Sequence, residues 1–390
     1  MRGLPWAILA HALFLQLAAY VVRPTAAYRA LELGIDPAYL GLVAASFAVV
    51  PLVVAVLVGR VADSGGENRL MVVGALLMVG AGVGLVFLSH TLPLLLLWNV
   101  LLGLGHLMGV LGEQSRVAHT AGSKLDSAFG VYTFAGSIGQ AIGPSLIGFF
   151  GGGDSIPDTG LLFTAYLASA VVMMLITFGI AIRGRRAAPL AVPRTKVSFR
   201  DAINAPPSAR RQLFGAMFIS MMVLAAVDLV AVYLPALGVE RSIPAGVIGV
   251  LLTVRALATM ASRLGLGLLV ARFGRQQLIV ASTGISAVAL AALVIPMNSW
   301  VMAGVLIVAG IALGIGQPLT MTTISLAAPE GTRATWLALR LSANRLGQSA
   351  LPVAVGFAAA GAGAAGVFGA MAGMLGLTAA VAWRALRRSG

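Results

Sequence analysis

The chain has 390 residues, of which 59% are apolar and only 10% charged, and its mean hydropathy is +0.98. A soluble core of that composition would have too little polar surface left to face water, which argues against a soluble enzyme, a disordered tail and a DNA-binding domain. The net charge of +14 must therefore be explained by where the basic residues sit, and the absence of cysteine excludes disulfide scaffolds, thiolate metal sites and cysteine nucleophiles.

A bilayer core about 30 Å thick takes roughly 20 residues of apolar helix. Twelve such stretches are predicted in chain order, at about 5–28, 38–60, 70–89, 92–115, 127–150, 160–182, 213–236, 245–269, 277–296, 299–325, 335–359 and 363–384. The first is too long for the apolar region of a signal peptide, and no small-residue cleavage site follows it. Gly, Ala, Val and Leu dominate the stretches, which fits helices with small-residue packing faces and not the ten-residue alternating strands of a barrel. The polar interval from Arg183 to Arg211 divides the spans six and six. The expected fold is an all-α membrane protein of twelve transmembrane helices in two pseudo-symmetric six-helix bundles, over 1–182 and 213–390, joined by a cytoplasmic linker over 183–212.

With the N-terminus placed inside, 19 of the 26 lysines and arginines fall on the inner side, eight of them in the central linker. Only Arg29 and Arg241 fall outside, and Arg23, Arg255, Arg263, Arg340 and Arg345 lie within spans. That asymmetry places both termini in the cytoplasm and explains most of the charge without a nucleic-acid partner. A shift of 208 positions aligns Gly41 with Gly249, Gly59 with Gly267 and Gly66 with Gly274. It also aligns Gly139-Gln140, Pro144 and Gly148 with Gly347-Gln348, Pro352 and Gly356. Two related halves place a substrate site at the midplane between them.

The loop between the second and third spans reads Gly59-Arg-Val-Ala-Asp63-Ser64-Gly65-Gly66-Glu67-Asn68-Arg69. Its counterpart after the eighth span reads Gly267-Leu-Leu-Val-Ala271-Arg272-Phe273-Gly274-Arg275. The fifth span carries Gly130, Gly139, Gly143-Pro144 and Gly148. These segments resemble two signatures of the major facilitator superfamily, G-x3-D-[RK]-x-G-x-[RK]-[RK] and the antiporter pattern G-x8-G-x3-G-P-x2-G-G. Gly59, Asp63, Gly66 and Arg69 match the first, Ser64 and Asn68 depart from it, and Ala271 stands where the second half would have its acid. Ile147 is the one departure from the antiporter pattern.

Gly59 is expected to let two helices approach, and Gly66 to permit a tight turn. Asp63 can accept hydrogen bonds from a helix N-terminus or pair with an arginine. The resemblance implies that this contact locks an inner gate, to which Gly267, Arg272, Gly274 and Arg275 also belong; Arg263 and Arg340, closer to the cytoplasmic side of their spans, are read from position as gate residues too. Pro144 removes a backbone donor and bends its span, a bend that the family associates with proton-driven export. In the fourth span, where drug exporters of the family often carry an arginine, this chain has Asn99, so proton coupling must lean on other groups.

A titratable side chain at bilayer depth costs at least about a few kcal/mol and usually faces a cavity or a partner. Glu113 and Asp228 are candidate proton carriers. The plainer readings are an ion pair of Glu113 with Arg116 or Arg340, and of Asp228 with a membrane arginine. Arg23 lies at a height in its span similar to that of Asp228, which predicts a salt bridge across the cavity. Arg255 and Arg345, beside Asn344, could grip a carboxylate with two hydrogen bonds. His11 and His106 could titrate near neutral pH, although a lone membrane histidine more often bonds a neighbouring helix. The candidate substrate and proton cavity thus comprises Arg23, Asn99, His106, Glu113, Asp228, Arg255, Asn344 and Arg345.

No phosphate-binding loop and no metal-ligand spacing is present, so no cofactor, metal or enzymatic activity is expected. The resemblance implies a monomeric secondary transporter in a lipid bilayer, of bacterial inner-membrane type, with a small-molecule substrate and protons as partners. Proton-coupled export of small amphipathic or drug-like molecules is the leading expectation. The alternatives are an organic anion or zwitterion bound by cavity arginines, and a non-transporting receptor or scaffold.

Overall fold

Backbone N–H and C=O groups have no water to bond inside a bilayer, so an apolar run of membrane length satisfies them within a helix. The computed structural model describes residues 6–121, 125–184, 206–329 and 333–387, and those residues form helices and turns without a strand. The helices are α1 (Trp6–Glu32), α2 (Leu40–Val61), α3 (Glu67–Phe87), α4 (Leu92–Ala121), α5 (Leu125–Phe150), α6 (Thr159–Gly184) and α7 (Pro207–Glu240). They continue with α8 (Ala245–Leu264), α9 (Leu266–Phe273), α10 (Arg275–Ala292), α11 (Ser299–Ala327), α12 (Arg333–Ala358) and α13 (Gly363–Arg387). Each predicted stretch is one helix except the eighth, which breaks at Gly265 into α8 and α9. α7 starts six residues earlier than expected, on Pro207, whose missing N–H suits a first turn. Most of the basic linker, with Arg185, Arg186, Arg194, Lys196 and Arg200, lies outside the described residues, as do Arg2, Lys124 and Arg388.

Among the described residues, nine helices are long and apolar enough to cross a membrane. α5, α10 and α12 are not among the nine. α12 carries Arg340, Asn344, Arg345 and Gln348, all turned into the protein or half-buried, so its polar face needs no lipid. Asn298 caps α11 by accepting from the Val301 N–H at 2.9 Å, and Asp36 caps the short turn before α2 by accepting from the Ala38 N–H at 2.8 Å.

The packing repeats. α1 packs on α5 and α6, α2 on α4, and α3 on α4 and α6. In the later set α7 packs on α12 and α13, α8 on α11, and α10 on α11 and α13. A Cβ on Gly139 would fall 2.8 Å from the Leu17 backbone nitrogen and closer still to the Leu13 carbonyl, while one on Gly347 would press on Met221. Leu13 with Met221, and Gly139 with Gly347, are separated by the same shift of 208 positions as the sequence repeat.

Between the two sets α2 meets α12, α5 meets α8, and α1 meets α7. Glycine makes the first two crossings possible. A Cβ on Gly41 would sit 2.9 Å from the Cα of Val353, and one on Gly249 would sit 2.8 Å from the Cα of Gly148. Backbones this close exchange dispersion and weak Cα–H···O contacts along a stripe of small residues. Tyr39 and Phe357 add an edge-to-face pair at 5.6 Å beside the first crossing, and the Ser145 and Thr253 hydroxyls meet at 3.1 Å beside the second. Both crossings lie at the end of the bundle opposite Arg69, Arg116, Arg210, Arg272 and Arg384, so the halves are closed on each other at the arginine-poor end.

Two expectations for the loops are corrected. Gly59 has open space where a Cβ would be, so no neighbouring helix approaches it there, and its counterpart Gly267 is equally open. The positive φ between α2 and α3 belongs to Gly65 (φ 83°), whereas Gly66 (φ −87°) is needed because a Cβ there would lie 2.7 Å from the Val61 carbonyl oxygen. In the second loop Gly274 takes the positive φ, 77°. The Asp63 side chain lies outside the described residues.

The absence of native cysteine gives a direct check of the closed end. In Ser145→Cys/Thr253→Cys the two thiols replace hydroxyls 3.1 Å apart, so mild oxidation is expected to form the disulfide. Loss of both free thiols by mass spectrometry, and recovery with reductant, is the measurement.

Candidate functional site

The middle of the bundle holds one continuous polar network across the two halves. Arg23 on α1 donates through Nη1 to Oδ1 of Asp228 on α7, and Gln348 on α12 donates to the other Asp228 oxygen. Arg345 donates to Gln348 Oε1 at 3.1 Å. The Arg23 guanidinium also lies 4.4 Å from the Phe47 ring centroid and 5.4 Å from that of Tyr20. Aromatic faces of this kind favour a cation, the more so where water is scarce. Arg23 and Asp228 are each about nine-tenths buried, so each depends on the other for its charge.

Other candidates serve helix packing. Asn99 donates to the Val43 carbonyl at 2.7 Å and to Ser46 Oγ at 2.8 Å, tying α4 to α2. His106 is buried against Phe47, with ring centroids 5.4 Å apart, and neither of its nitrogens has a hydrogen-bond partner among the described residues. Asn344 accepts from Ser220 Oγ at 2.9 Å. Arg340 donates to Gln317 Oε1 at 2.5 Å, within the later set of helices and not between the halves.

A cavity of about 210 Å³ lies on the arginine-rich side of the network. Its cationic wall is Arg255 and Arg263 on α8; its neutral polar groups are Tyr20, Ser137, Gln140, Thr259 and Gln317. Leu224, Val227, Met260 and Leu313 supply apolar surface, and no carboxylate of the described residues lines it. Arg263 donates to Ser137 Oγ at 3.2 Å across the halves. Arg255 is 2% exposed, has an unpartnered Nε, and makes no hydrogen bond or ion pair with any described residue. Arg255, Thr259 and Arg263 recur every four residues and so share one face of α8.

Glu113 sits elsewhere. It pairs with neither Arg116 nor Arg340. Its Oε1 meets Nδ1 of His11 on α1, and its Oε2 accepts from the Tyr132 hydroxyl on α5 at 2.7 Å. Arg116, three residues along α4, turns instead to Asn68 on α3.

With this geometry in view, the comparisons with known proteins are specific. The model of the Major Facilitator Superfamily matches residues 8–227 and 213–390. The chain belongs to the major facilitator superfamily. As a member it is an integral membrane transporter of a small-molecule substrate. No curated protein matches the chain by sequence. Its fold is similar to that of the nucleoside transporter NupG (14% identity, 97% of each chain, TM-score 0.74). It is also similar to a POT family transporter in complex with a thioalcohol-conjugated peptide (12% identity, 96% of this chain and 94% of that one, TM-score 0.78). A D-xylose-proton symporter gives 14% identity over 97% and 95% of the two chains, with a TM-score of 0.75. At these identities the likeness is one of fold.

In this facilitator the glycines of the antiporter-like pattern have identifiable neighbours. Gly139 and Gly143 let α5 lie against the α1 backbone at Leu13, Leu17 and Tyr20, and Gly148 faces Val250 of α8. Arg69, Arg272 and Arg275 lie in the helix turns that flank the two loops at the arginine-rich end. The cavity residues Tyr20, Ser137, Gln140, Thr259 and Gln317 escaped the sequence reading. Their signal was available in the polar positions three or four apart on otherwise apolar helices.

The buried pair makes a stability prediction. Asp228→Asn leaves Arg23 without a counter-ion and should cost about 3–5 kcal/mol, whereas Arg23→Gln/Asp228→Asn together should recover much of that loss. Thermal unfolding of the purified variants in detergent measures both.

Proposed function

We propose that this facilitator is a secondary active transporter working by alternating access. Its cargo is a small amphipathic molecule bearing an acidic group, exported against an inward flow of protons. The observation that carries the cargo class is Arg255. A buried guanidinium without a partner is unfavourable by several kcal/mol, so the cavity it faces suits an anion or water. Arg263 adds a second cation, no acid among the described residues lines the walls, and the apolar side chains opposite favour a hydrocarbon portion of the same molecule. The anionic and the drug-like readings of the sequence therefore merge into one kind of ligand. Arg23 and Arg345 fit this role less well, since Asp228 and Gln348 already engage them.

Export rests on the fifth-span pattern. By the distribution of lysine and arginine the arginine-rich end faces the cytoplasm, and the closed crossings at the other end support a conformation that receives cargo from inside. The Arg23–Asp228 contact ties α1 to α7 between the halves, where it would part as they rock.

A thermal-stability screen of the purified protein against aromatic and aliphatic carboxylates, amino acids and amphipathic cations tests the cargo class, since a bound ligand raises apparent stability. Carboxylates should stabilise the wild type, and Arg255→Gln should weaken their binding about tenfold to a hundredfold, the loss of a charge-assisted hydrogen bond. Stabilisation by the cations alone, unchanged in Arg255→Gln, would sink the anion reading. In proteoliposomes a carboxylate that binds should move protons in the opposite direction; no flux with any binder would leave a receptor or scaffold.

A further inference from the structure

His11 and Glu113 are fully buried, and the cavity does not include them. His11 precedes the cavity residue Tyr20 by nine positions on α1, a rise of about 13 Å. The two side chains meet between four helices. Glu113 on α4 faces His11 Nδ1 through Oε1 and takes the Tyr132 hydroxyl of α5 on Oε2 at 2.7 Å. His11 Nε2 lies 2.8 Å from Oγ1 of Thr177 on α6, and that same hydroxyl lies 2.9 Å from the Met173 carbonyl one turn back. Tyr132 also packs in an apolar cluster with Ile8, Met71 from α3, Val117 and Ile180. Among the described residues no other charged or titratable group bonds to either member; Arg116, the nearest cation along α4, is held by Asn68.

Counting donors and acceptors shows that this cluster is satisfied in two protonation states. With His11 neutral, its Nδ1–H donates to the Glu113 carboxylate and its Nε2 accepts from the Thr177 hydroxyl. With His11 cationic, both ring N–H groups donate, one to Glu113 and one to Thr177 Oγ1, and the Thr177 hydroxyl turns to the Met173 carbonyl. The change adds one proton from water to Nε2 and breaks no covalent bond. Thr177 is the rotor that keeps Nε2 partnered in both states. The first state carries one net negative charge and the second none, with every hydrogen-bonding group of the cluster partnered in both.

We propose that His11, Glu113, Tyr132 and Thr177 form a proton-binding site inside the first six helices, separate from the cavity, at which His11 takes up one proton. The ties it controls run from α1 and α5, the helices that bring Tyr20, Ser137 and Gln140 to the cavity, to α4 and α6. Gln140 also bonds Gln16 of α1 between the two places, at 3.5 Å. The use of this proton in transport rests on the reading above; its binding does not, and its test needs no transported compound.

The test is nitrogen-15 NMR of the full chain, labelled at its four histidines and held in lipid nanodiscs, with His11 assigned by the signal missing in His11→Asn. Between about pH 5 and 9 the His11 signal should pass between a neutral tautomer protonated at Nδ1 and the doubly protonated ring. In Glu113→Gln that step should leave the range while the unfolding midpoint shows a folded protein. If Glu113→Gln does not fold, Tyr132→Phe removes one hydrogen bond to the carboxylate and should displace the step. A His11 that keeps a single protonation state throughout, neutral or cationic, overturns the proposal. So does a step that stays unchanged in the folded variants.

Discussion

A charged side chain inside a bilayer must end beside an opposite charge, a dipole or water, and that constraint orders the interior of this transporter. Asp228 is shared between Arg23 and Gln348, and Arg345 is passed on to Gln348. Glu113 is matched by His11, and Arg340 by Gln317. Once these groups are engaged, Arg255 is left with no partner among the described residues, and it faces a cavity of about 210 Å³. The proposed cargo site is where internal pairing stops, and Arg255 and Arg263 with no described acid beside them give its wall a positive charge.

Close backbone contact is the second constraint. Lipid tails are as apolar as leucine, so helices inside a bilayer gain little from burying hydrocarbon and much from approaching closely. Glycine at 139 and 143 brings α5 onto α1, and glycine at 41 and 249 brings the halves together at one end. A half-to-half contact made of small residues, rings and two hydroxyls has no described ion pair to break, which suits the parting and re-forming that the proposed alternating access would need. The Arg23–Asp228 pair sits deeper, where the two crossings converge on the network.

Much of the architecture was legible because it depends on local chemistry. Eleven of the twelve apolar stretches appear as single helices, most within a few residues of their expected limits, and the constant offset between Gly139 and Gly347 reappears as equivalent contacts with Leu13 and Met221. The juxtaposition of Arg23 and Asp228 was foreseen from their heights in two related spans. The partner of Glu113 was not, since His11 is 102 residues away and Arg116 and Arg340 were equally plausible on charge alone. Gly59 and Gly66 were misread because a glycine in a motif says that space or a positive φ is needed nearby, not which of the two.

Composition, hydropathy and basic-residue asymmetry determined that this chain lives in a membrane as two sets of helices, because transfer free energy and helix length are properties of a segment by itself. Only the tertiary structure decided which polar groups neutralise one another and which stay free. Pairing in a low-dielectric interior depends on distances of a few ångströms between helices far apart in the chain, and no local pattern encodes those distances. Arg255 and Arg345 look alike in sequence, each an arginine in the middle of a span; one is engaged by Gln348, and the other is open to the cavity because no acid or amide from a neighbouring helix reaches it.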